Sequence, residues 1–199
     1  MRMNLANKLT VFRIILVPIM VIIPYLGIKG DIYGITYSML IMEAIFIIAS
    51  ITDKLDGYIA RSRNQITTFG KFLDPLADKI LVLAAMVILV EVGKIPAWIP
   101  CIVLAREFIV SGYRLVAAGK GGEVIAASVW GKLKTVTQMF ALIFVFIDVN
   151  KFFAFTSGNL SGAWFVINVI SSVLLLISVI ATVFSGWDYL KNSKELFKD

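Results

Sequence analysis

Six long apolar segments, separated by short polar stretches, are the feature that most constrains how this chain of 199 residues can fold. Each segment has roughly the 20 residues that a helix needs to cross the hydrocarbon core of a bilayer. Glycine, proline and charged residues fall between the segments, where helices end. The sequence therefore predicts an all-α fold, an integral membrane bundle of six transmembrane helices that forms a single domain over residues 1–199. The predicted spans are residues 9–28, 35–53, 72–92, 97–117, 133–149 and 162–186.

The composition supports a membrane protein and excludes several kinds of site. Hydrophobic residues make up 59% of the chain and charged residues 16%, whereas a soluble domain has about 45–50% apolar and about 25% charged residues. There is no histidine and the one cysteine is Cys101, which excludes histidine acid–base chemistry, a Cys/His zinc cluster and an internal disulfide. The basic start of the chain resembles a secretory signal, but no small-residue cleavage pattern follows, so we expect an uncleaved first span.

The distribution of Lys and Arg predicts the orientation of the spans. If the chain crosses the membrane six times, all but three of its 19 Lys and Arg residues lie on the side that holds both termini. Positive charge accumulates on the cytoplasmic side, so we expect both termini in the cytoplasm and a multi-pass protein of the cytoplasmic membrane. The net charge of +6 then reflects this topology and contact with membrane lipids, and no nucleic-acid partner is expected.

Four aspartates lie close together at the ends of two predicted spans. Asp53 and Asp56 are three residues apart at the end of the second span, and Asp74 and Asp78 are four apart at the start of the third. Each spacing puts both carboxylates on one face of a helix. Because a short connection makes the two spans antiparallel neighbours, the two pairs are expected at similar depth near the cytoplasmic surface.

A metal ion would explain why four carboxylates occur together. Neighbouring carboxylates repel one another unless a cation lies between them, and a site made only of oxygen donors suits Mg²⁺ or Mn²⁺, with one or two ions per chain. Such ions can hold and polarise a phosphoryl group. The alternative is an interfacial cluster in which the aspartates pair with neighbouring lysines and arginines. The spacing of all four, flanked by Gly57 and Gly70, favours the metal site.

These residues also form a recognisable motif. The pattern Asp53-x-x-Asp56-Gly57-x-x-Ala60-Arg61, eight further residues, and then Gly70-x-x-x-Asp74-x-x-x-Asp78 resembles the signature of the CDP-alcohol phosphatidyltransferases. The resemblance implies that an alcohol attacks the β-phosphorus of a CDP-linked lipid and that CMP leaves, at the cytoplasmic membrane surface.

The resemblance also implies roles for individual residues. Asp53, Asp56 and Asp74 would be metal ligands, and Asp78 would complete the metal site and act as the general base. Helix packing is an alternative explanation for the small residues Gly57 and Ala60. Helix capping is an alternative explanation for Thr10. The residues implied to bind the CDP-lipid are Asn7, Thr10, Gly57, Ala60, Arg61, Thr67 and Gly70.

Basic residues elsewhere on the same predicted side of the membrane suggest an anionic acceptor. Arg106 and Arg114 are eight residues apart in the fourth span, and Lys132 and Lys134 begin the fifth. An unpaired charge in apolar sequence is costly, so these four residues suggest an acceptor that is itself anionic, such as a sugar phosphate or glycerol phosphate. Ordinary positive-inside flanking is the alternative for the two lysines.

The sequences "ARE…R" and "GKLKTVTQ" resemble one branch of the family, the bacterial phosphatidylglycerophosphate synthases. That resemblance implies CDP-diacylglycerol as donor, sn-glycerol 3-phosphate as acceptor, phosphatidylglycerophosphate and CMP as products, and a homodimer. It also implies candidates to bind the acceptor phosphate, namely Arg106, Arg114, Lys132 and Lys134, with Arg13 a further candidate. Two alternatives remain open. The same chemistry could use phosphatidylglycerol, as in cardiolipin synthases, or inositol phosphate. A cation transporter with the aspartates in its ion path is the alternative from a different class.

Overall fold

A computed structural model of the chain describes residues 5–62, 68–119 and 129–192. Within these residues the fold is helical apart from one small hairpin. An apolar segment in a bilayer must satisfy its backbone hydrogen bonds internally, which favours helices. The α-helices are α1 (Leu5–Ile22), α2 (Tyr37–Ser62), α3 (Thr68–Glu91), α4 (Trp98–Gly119), α5 (Val129–Ile147) and α6 (Gly162–Asn192).

The six helices differ in how many charges they carry. At 1.5 Å per residue, each is long enough to cross most or all of a hydrocarbon core about 30 Å thick. Three contain stretches apolar enough to be candidate spans, namely Asn7–Leu26, Val129–Ile147 and Gly162–Lys191. Helices α2, α3 and α4 contain the aspartate signature and the ARE motif, so they carry more charge. Six spans with cytoplasmic termini thus stay a prediction.

The exposed surface of the helices is largely apolar, as expected of a protein embedded in a lipid bilayer. Large hydrophobic side chains are about half exposed or more along all six helices, whereas monomeric soluble proteins rarely expose extended apolar surface. Together with the long apolar helices, this surface is that of a membrane protein. Examples, one from each helix, are Ile15, Ile48, Val87, Phe108, Phe140 and Val166.

The contacts group the chain into two compact units. The first comprises Met1–Val92 and Phe146–Val149, and the second comprises Gly93–Val145 and Asn150–Asp199. In the first unit α1 contacts both α2 and α3, and α2 contacts α3. In the second unit α4 contacts α6. The expectation of one domain over the whole chain stays a prediction.

A short hairpin precedes α2 and was not predicted. Strands β1 (Asp31–Ile32) and β2 (Ile35–Thr36) pair antiparallel, with Asp31 opposite Thr36. The two turn residues, Tyr33 and Gly34, both have positive φ, which is the backbone conformation of a type I′ hairpin turn. The hairpin thus leads the chain from the end of α1 into α2.

The buried face of α6 consists mainly of small and polar residues. Side chains of this kind let membrane helices approach closely and hydrogen-bond to their neighbours. Asn168 accepts a bond from the backbone N–H of Phe155 at 2.8 Å, and Ser172 accepts one from that of Phe153 at 3.0 Å. These bonds fasten the segment before α6 to the helix. The buried polar side chains of α6 are Asn168, Ser171, Ser172, Ser178, Thr182 and Ser185.

Candidate active site

The four aspartates of the signature lie on two helices of the first unit that contact each other. Asp53 and Asp56 belong to α2, and Asp74 and Asp78 belong to α3. Because both segments are helical, the spacings of three and four residues place each pair along one helix face. The side chains of Asp53 and Asp78 are partly exposed, so both can be reached from outside the protein interior.

For most of the predicted site residues in the aspartate signature, the structure describes only the helical backbone. Asp56, Gly57, Ala60 and Arg61 lie in α2, and Gly70 and Asp74 lie in α3, but only their helical backbone is described. Thr67 lies outside the described residues. The predicted contacts of these seven residues with metal or CDP-lipid stay predictions.

Arg13 of α1 contacts the first aspartate of the signature. Its Nη1 lies 2.8 Å from Oδ1 of Asp53, and its Nε donates a hydrogen bond to the carbonyl oxygen of Ala49 at 3.2 Å. The arginine side chain is completely buried, whereas that of Asp53 is 37% exposed. Arg13 was a candidate for the acceptor phosphate, but here it is engaged with Asp53 in the first unit.

Asn7 and Thr10 lie on the same buried stripe of α1 as Arg13. The buried positions along α1 are spaced by three or four residues, which defines one helix face. Thr10 lies inside the helix, five residues after Leu5, so it does not cap the beginning of α1. The stripe of Asn7, Thr10 and Arg13 therefore forms a polar lining on the side of α1 that is covered by protein.

The donor chemistry of the aspartate helices fits a hard divalent cation. All four candidate ligands are carboxylates, and carboxylate oxygens are the ligands that Mg²⁺ prefers. A carboxylate accepts on both oxygens, so the contact of Arg13 with Oδ1 does not prevent Asp53 from binding a cation. Among the side chains that the structure describes, which exclude Asp56 and Asp74, no group of three or more acidic, Cys or His residues could hold a metal.

A cluster of cations occupies the second unit, organised around Glu107 of α4. Oε1 of Glu107 accepts from Nη1 of Arg106 at 2.9 Å and also forms a salt bridge with Nζ of Lys134 on α5. All three side chains are largely buried, with at most 16% of their surface exposed. Glu107 is thus a counter-charge for its neighbour Arg106, and it also joins α4 to α5.

Two residues of α6 complete this cluster, and neither was predicted from the sequence. Nη2 of Arg106 donates to Oγ of Ser185 at 2.5 Å, and Nη2 of Arg114 donates to the hydroxyl of Tyr189 at 2.8 Å. The signal in the sequence was weak, because Ser185 and Tyr189 are uncharged residues at the end of an apolar helix. Their spacing of four residues, which places them on one face, was the available clue.

Lys132 is separated from the cluster. It lies two residues before Lys134 on α5, a spacing that turns side chains to nearly opposite sides of a helix. Accordingly Lys132 is exposed, whereas Lys134 is buried. Of the four predicted phosphate-binding residues, Arg106, Arg114 and Lys134 are therefore brought together and Lys132 is not.

The cluster has the charge to bind an anion. Arg106, Arg114 and Lys134 carry three positive charges against the one negative charge of Glu107, which leaves two in excess. A phosphate monoester carries about −1.5 to −2 charges at neutral pH. Arginine also offers several N–H donors in a plane, which suits the oxygens of a phosphate. The arrangement can therefore bind a phosphate monoester while Glu107 limits the repulsion among the cations.

The chain as a whole is similar to known proteins. The sequence model of the family described as CDP-alcohol phosphatidyltransferase matches residues 3–185. A Bacillus subtilis protein named CDP-diacylglycerol–glycerol-3-phosphate 3-phosphatidyltransferase is 42% identical over 98% of this chain and 97% of its own length. A protein of the same name from Haemophilus influenzae is 39% identical, over 98% of this chain and 95% of its own.

A more divergent relative has a related name. The probable phosphatidylglycerophosphate synthase of Mycobacterium tuberculosis is 36% identical over 94% of this chain and 80% of its own length. The family match covers most of the chain, including the helices that carry the aspartates and the cations. The protein is thus an enzyme that belongs to the CDP-alcohol phosphatidyltransferase family.

Proposed function

We propose that the protein transfers the phosphatidyl group of CDP-diacylglycerol to sn-glycerol 3-phosphate, giving phosphatidylglycerophosphate and CMP. Relatives whose names specify these two substrates are similar over nearly the whole chain, which supports the donor and the acceptor together. The observation that carries the choice of acceptor is a group of three cations in the second unit. Arg106 and Lys134 are largely buried against Glu107, and Arg114 shares the ring of Tyr189 with Arg106. An excess of positive charge favours a phosphorylated alcohol and disfavours a cationic one.

The donor is assigned to the aspartate helices of the first unit. Asp53, Asp56, Asp74 and Asp78 would hold one or two Mg²⁺ or Mn²⁺ ions. When bound, such an ion would neutralise pyrophosphate charge and make a nearby hydroxyl more acidic. Gly57, Ala60 and Gly70 would leave room for the nucleotide, while Arg61 and Thr67 would contact it from the end of α2 and the following connection. Asn7 and Thr10 would contribute from the buried face of α1.

The proposed reaction is a displacement at phosphorus. A free hydroxyl oxygen of glycerol phosphate forms a bond to the β-phosphorus of the donor. The bond between that phosphorus and the oxygen shared with the α-phosphate breaks, and CMP leaves with the electron pair. The proton of the hydroxyl passes to the carboxylate of Asp78. The cations of the second unit would bind the acceptor by its phosphate.

The chemistry of the substrates favours a site at the cytoplasmic surface of the membrane. CDP and glycerol phosphate are water-soluble groups, whereas the acyl chains of the donor stay in the bilayer, so the reacting phosphorus must lie near the interface. We therefore propose six spans, cytoplasmic termini and a location in the cytoplasmic membrane. By resemblance to its family, we also expect the enzyme to be a homodimer.

The proposal can be tested by CMP release from purified protein in detergent. The assay would contain CDP-diacylglycerol and Mg²⁺ or Mn²⁺, with glycerol 3-phosphate, phosphatidylglycerol or inositol phosphate as separate acceptors. We expect CMP release only with glycerol 3-phosphate. Release only with another acceptor would retain the family's chemistry and overturn the assigned acceptor. The absence of CMP release with every acceptor, from protein with an intact thermal transition, would contradict the proposed activity.

A further inference from the structure

The last turns of α6 place two polar side chains against the arginines of α4. Ser185 and Tyr189 are four residues apart, so they share one face of the helix, and they are 0% and 3% exposed. A polar group buried in a membrane helix is costly unless it has partners. Both residues have such partners, and in each case the partner is an arginine assigned to the acceptor phosphate.

Tyr189 contacts both arginines. Its hydroxyl accepts the hydrogen bond from Nη2 of Arg114, and its ring lies under the guanidinium groups of Arg114 and Arg106, at 5.7 and 5.8 Å from the ring centroid. Attraction between a cation and an aromatic face operates at such distances. One ring therefore attracts two groups of like charge that would otherwise repel each other.

Close packing of the two helices restricts Arg106 as well. A side chain added at Gly186 would put its Cβ 3.4 Å from Cγ of Arg106, so α6 passes directly beside the arginine stem. Together with the bond to Ser185, this contact limits the rotamers that Arg106 can adopt. Free arginine side chains lose considerable rotamer entropy on binding a ligand, and a preorganised arginine loses less.

The contacts with α6 do not use up the donors of the arginines. A guanidinium has five N–H groups. Arg106 donates one hydrogen bond from Nη1 to Glu107 and one from Nη2 to Ser185. Its Nε donates to no atom among the residues that the structure describes. Both arginines therefore keep N–H groups with which to bind a phosphate while α6 holds them.

We propose that Tyr189, assisted by Ser185, is a positioning residue that fixes Arg106 and Arg114 for binding the phosphate of the acceptor. This inference rests on the proposed function and assigns a third helix, α6, to the acceptor site. Tyr189 acts through the arginines, so its loss weakens binding of the phosphorylated acceptor and leaves binding of CDP-diacylglycerol unchanged.

The test is a steady-state comparison of two variants with the wild-type enzyme. Tyr189→Phe removes the hydroxyl and keeps the ring, and Tyr189→Leu removes both. We expect the KM for glycerol 3-phosphate to rise about threefold in Tyr189→Phe, because this variant loses the hydrogen bond to Arg114. In Tyr189→Leu it should rise about tenfold or more, because this variant also loses the contacts between the ring and the two guanidinium groups. The KM for CDP-diacylglycerol should stay unchanged. Tyr33→Phe, which removes a hydroxyl from the exposed hairpin, is the matched control.

A double-mutant cycle distinguishes positioning from general packing. If the hydroxyl of Tyr189 acts through Arg114, Tyr189→Phe should have no further effect on the KM for glycerol 3-phosphate once Arg114 is alanine. Equal changes in both KM values, additive effects in the cycle, or a wild-type KM in Tyr189→Leu would each overturn the inference. Because the wild-type enzyme is assayed alongside, a wrong acceptor assignment is recognised separately by its lack of activity with glycerol 3-phosphate.

Discussion

Arg13 and Asp53 form an ion pair that joins α1 to the first aspartate of the signature, with 2.8 Å between Nη1 and Oδ1. The guanidinium is completely buried and also bonds to the backbone of Ala49, one helical turn before the aspartate. An ion pair and a hydrogen bond from one planar group restrict its rotation. The position of the Asp53 carboxylate therefore depends on α1 as well as on α2, where the aspartate itself lies.

The first prediction concerns this ion pair. Arg13→Ala should reduce CMP release at least about tenfold, because the Asp53 carboxylate loses the group that orients it. Breaking a buried pair costs about 3–5 kcal/mol, but Asp53 is 37% exposed, so screening by solvent reduces the expected loss of stability to about 1–2 kcal/mol. Thermal unfolding in detergent would measure that loss.

Two further variants make the result specific. Arg13→Lys keeps the charge but loses the planar guanidinium that contacts both Asp53 and the carbonyl of Ala49, so its activity should lie between those of the wild type and Arg13→Ala. Lys8→Ala changes an exposed cation on the same helix and should leave activity unchanged. Full activity in Arg13→Ala would mean that the ion pair does not position Asp53 for the reaction.

The second prediction separates the two lysines of α5. Lys134 is buried against Glu107 and Lys132 is exposed. Lys134→Ala should raise the KM for glycerol 3-phosphate about tenfold or more, since a charge-assisted contact with phosphate is lost. The effect of Lys132→Ala on the same KM should be several-fold smaller. Equal effects of the two substitutions would indicate that both lysines contribute through general positive charge near the membrane.

The third prediction concerns removal of the metal. Chelation by EDTA should abolish CMP release, and Mg²⁺ or Mn²⁺ should restore it, because four neighbouring carboxylates need a cation between them. Asp53→Asn should raise the Mn²⁺ concentration for half-maximal activity at least about tenfold. Direct Mn²⁺ binding by electron paramagnetic resonance should weaken in parallel. Undiminished CMP release in excess EDTA would rule out a divalent cation in the reaction.

Much of the fold follows from hydropathy, except where helices continue through charged sequence. The predicted fourth span, residues 97–117, corresponds closely to Trp98–Gly119. By contrast, α2 runs to Ser62, nine residues beyond the predicted end of its span. Hydropathy detects where a segment stops being apolar, and the aspartate signature is polar but still helical. The hairpin at Asp31–Thr36 was missed because strands of two residues leave no alternation of polar and apolar residues to detect.

The candidate site was only partly predictable for a related reason. Family membership, predicted from the spacing of the aspartates, is confirmed by the comparison with the family. The salt bridge of Glu107 with Lys134 and the contacts of Ser185 and Tyr189 join residues 27 to 79 positions apart in sequence. Such pairs depend on how the helices pack, and no local pattern encodes them. Charge could therefore identify the arginines, but it could not identify the residues that hold them.

The last prediction concerns the proposed general base. Asp78→Asn keeps the size of the side chain but removes its ability to accept a proton. We expect CMP release to fall at least about a thousandfold, since the variant loses both the base and a metal ligand. The thermal transition in detergent should stay close to that of the wild type, because Asp78 is only partly buried.

Binding measurements distinguish the two roles of Asp78. Mn²⁺ affinity measured by electron paramagnetic resonance should fall if the carboxylate is a ligand, and an excess of Mn²⁺ should then restore metal binding. If activity stays absent with the metal bound, the carboxylate is needed as the base. If saturating Mn²⁺ instead restores wild-type turnover, Asp78 acts only as a ligand, and another group must accept the proton of the acceptor hydroxyl.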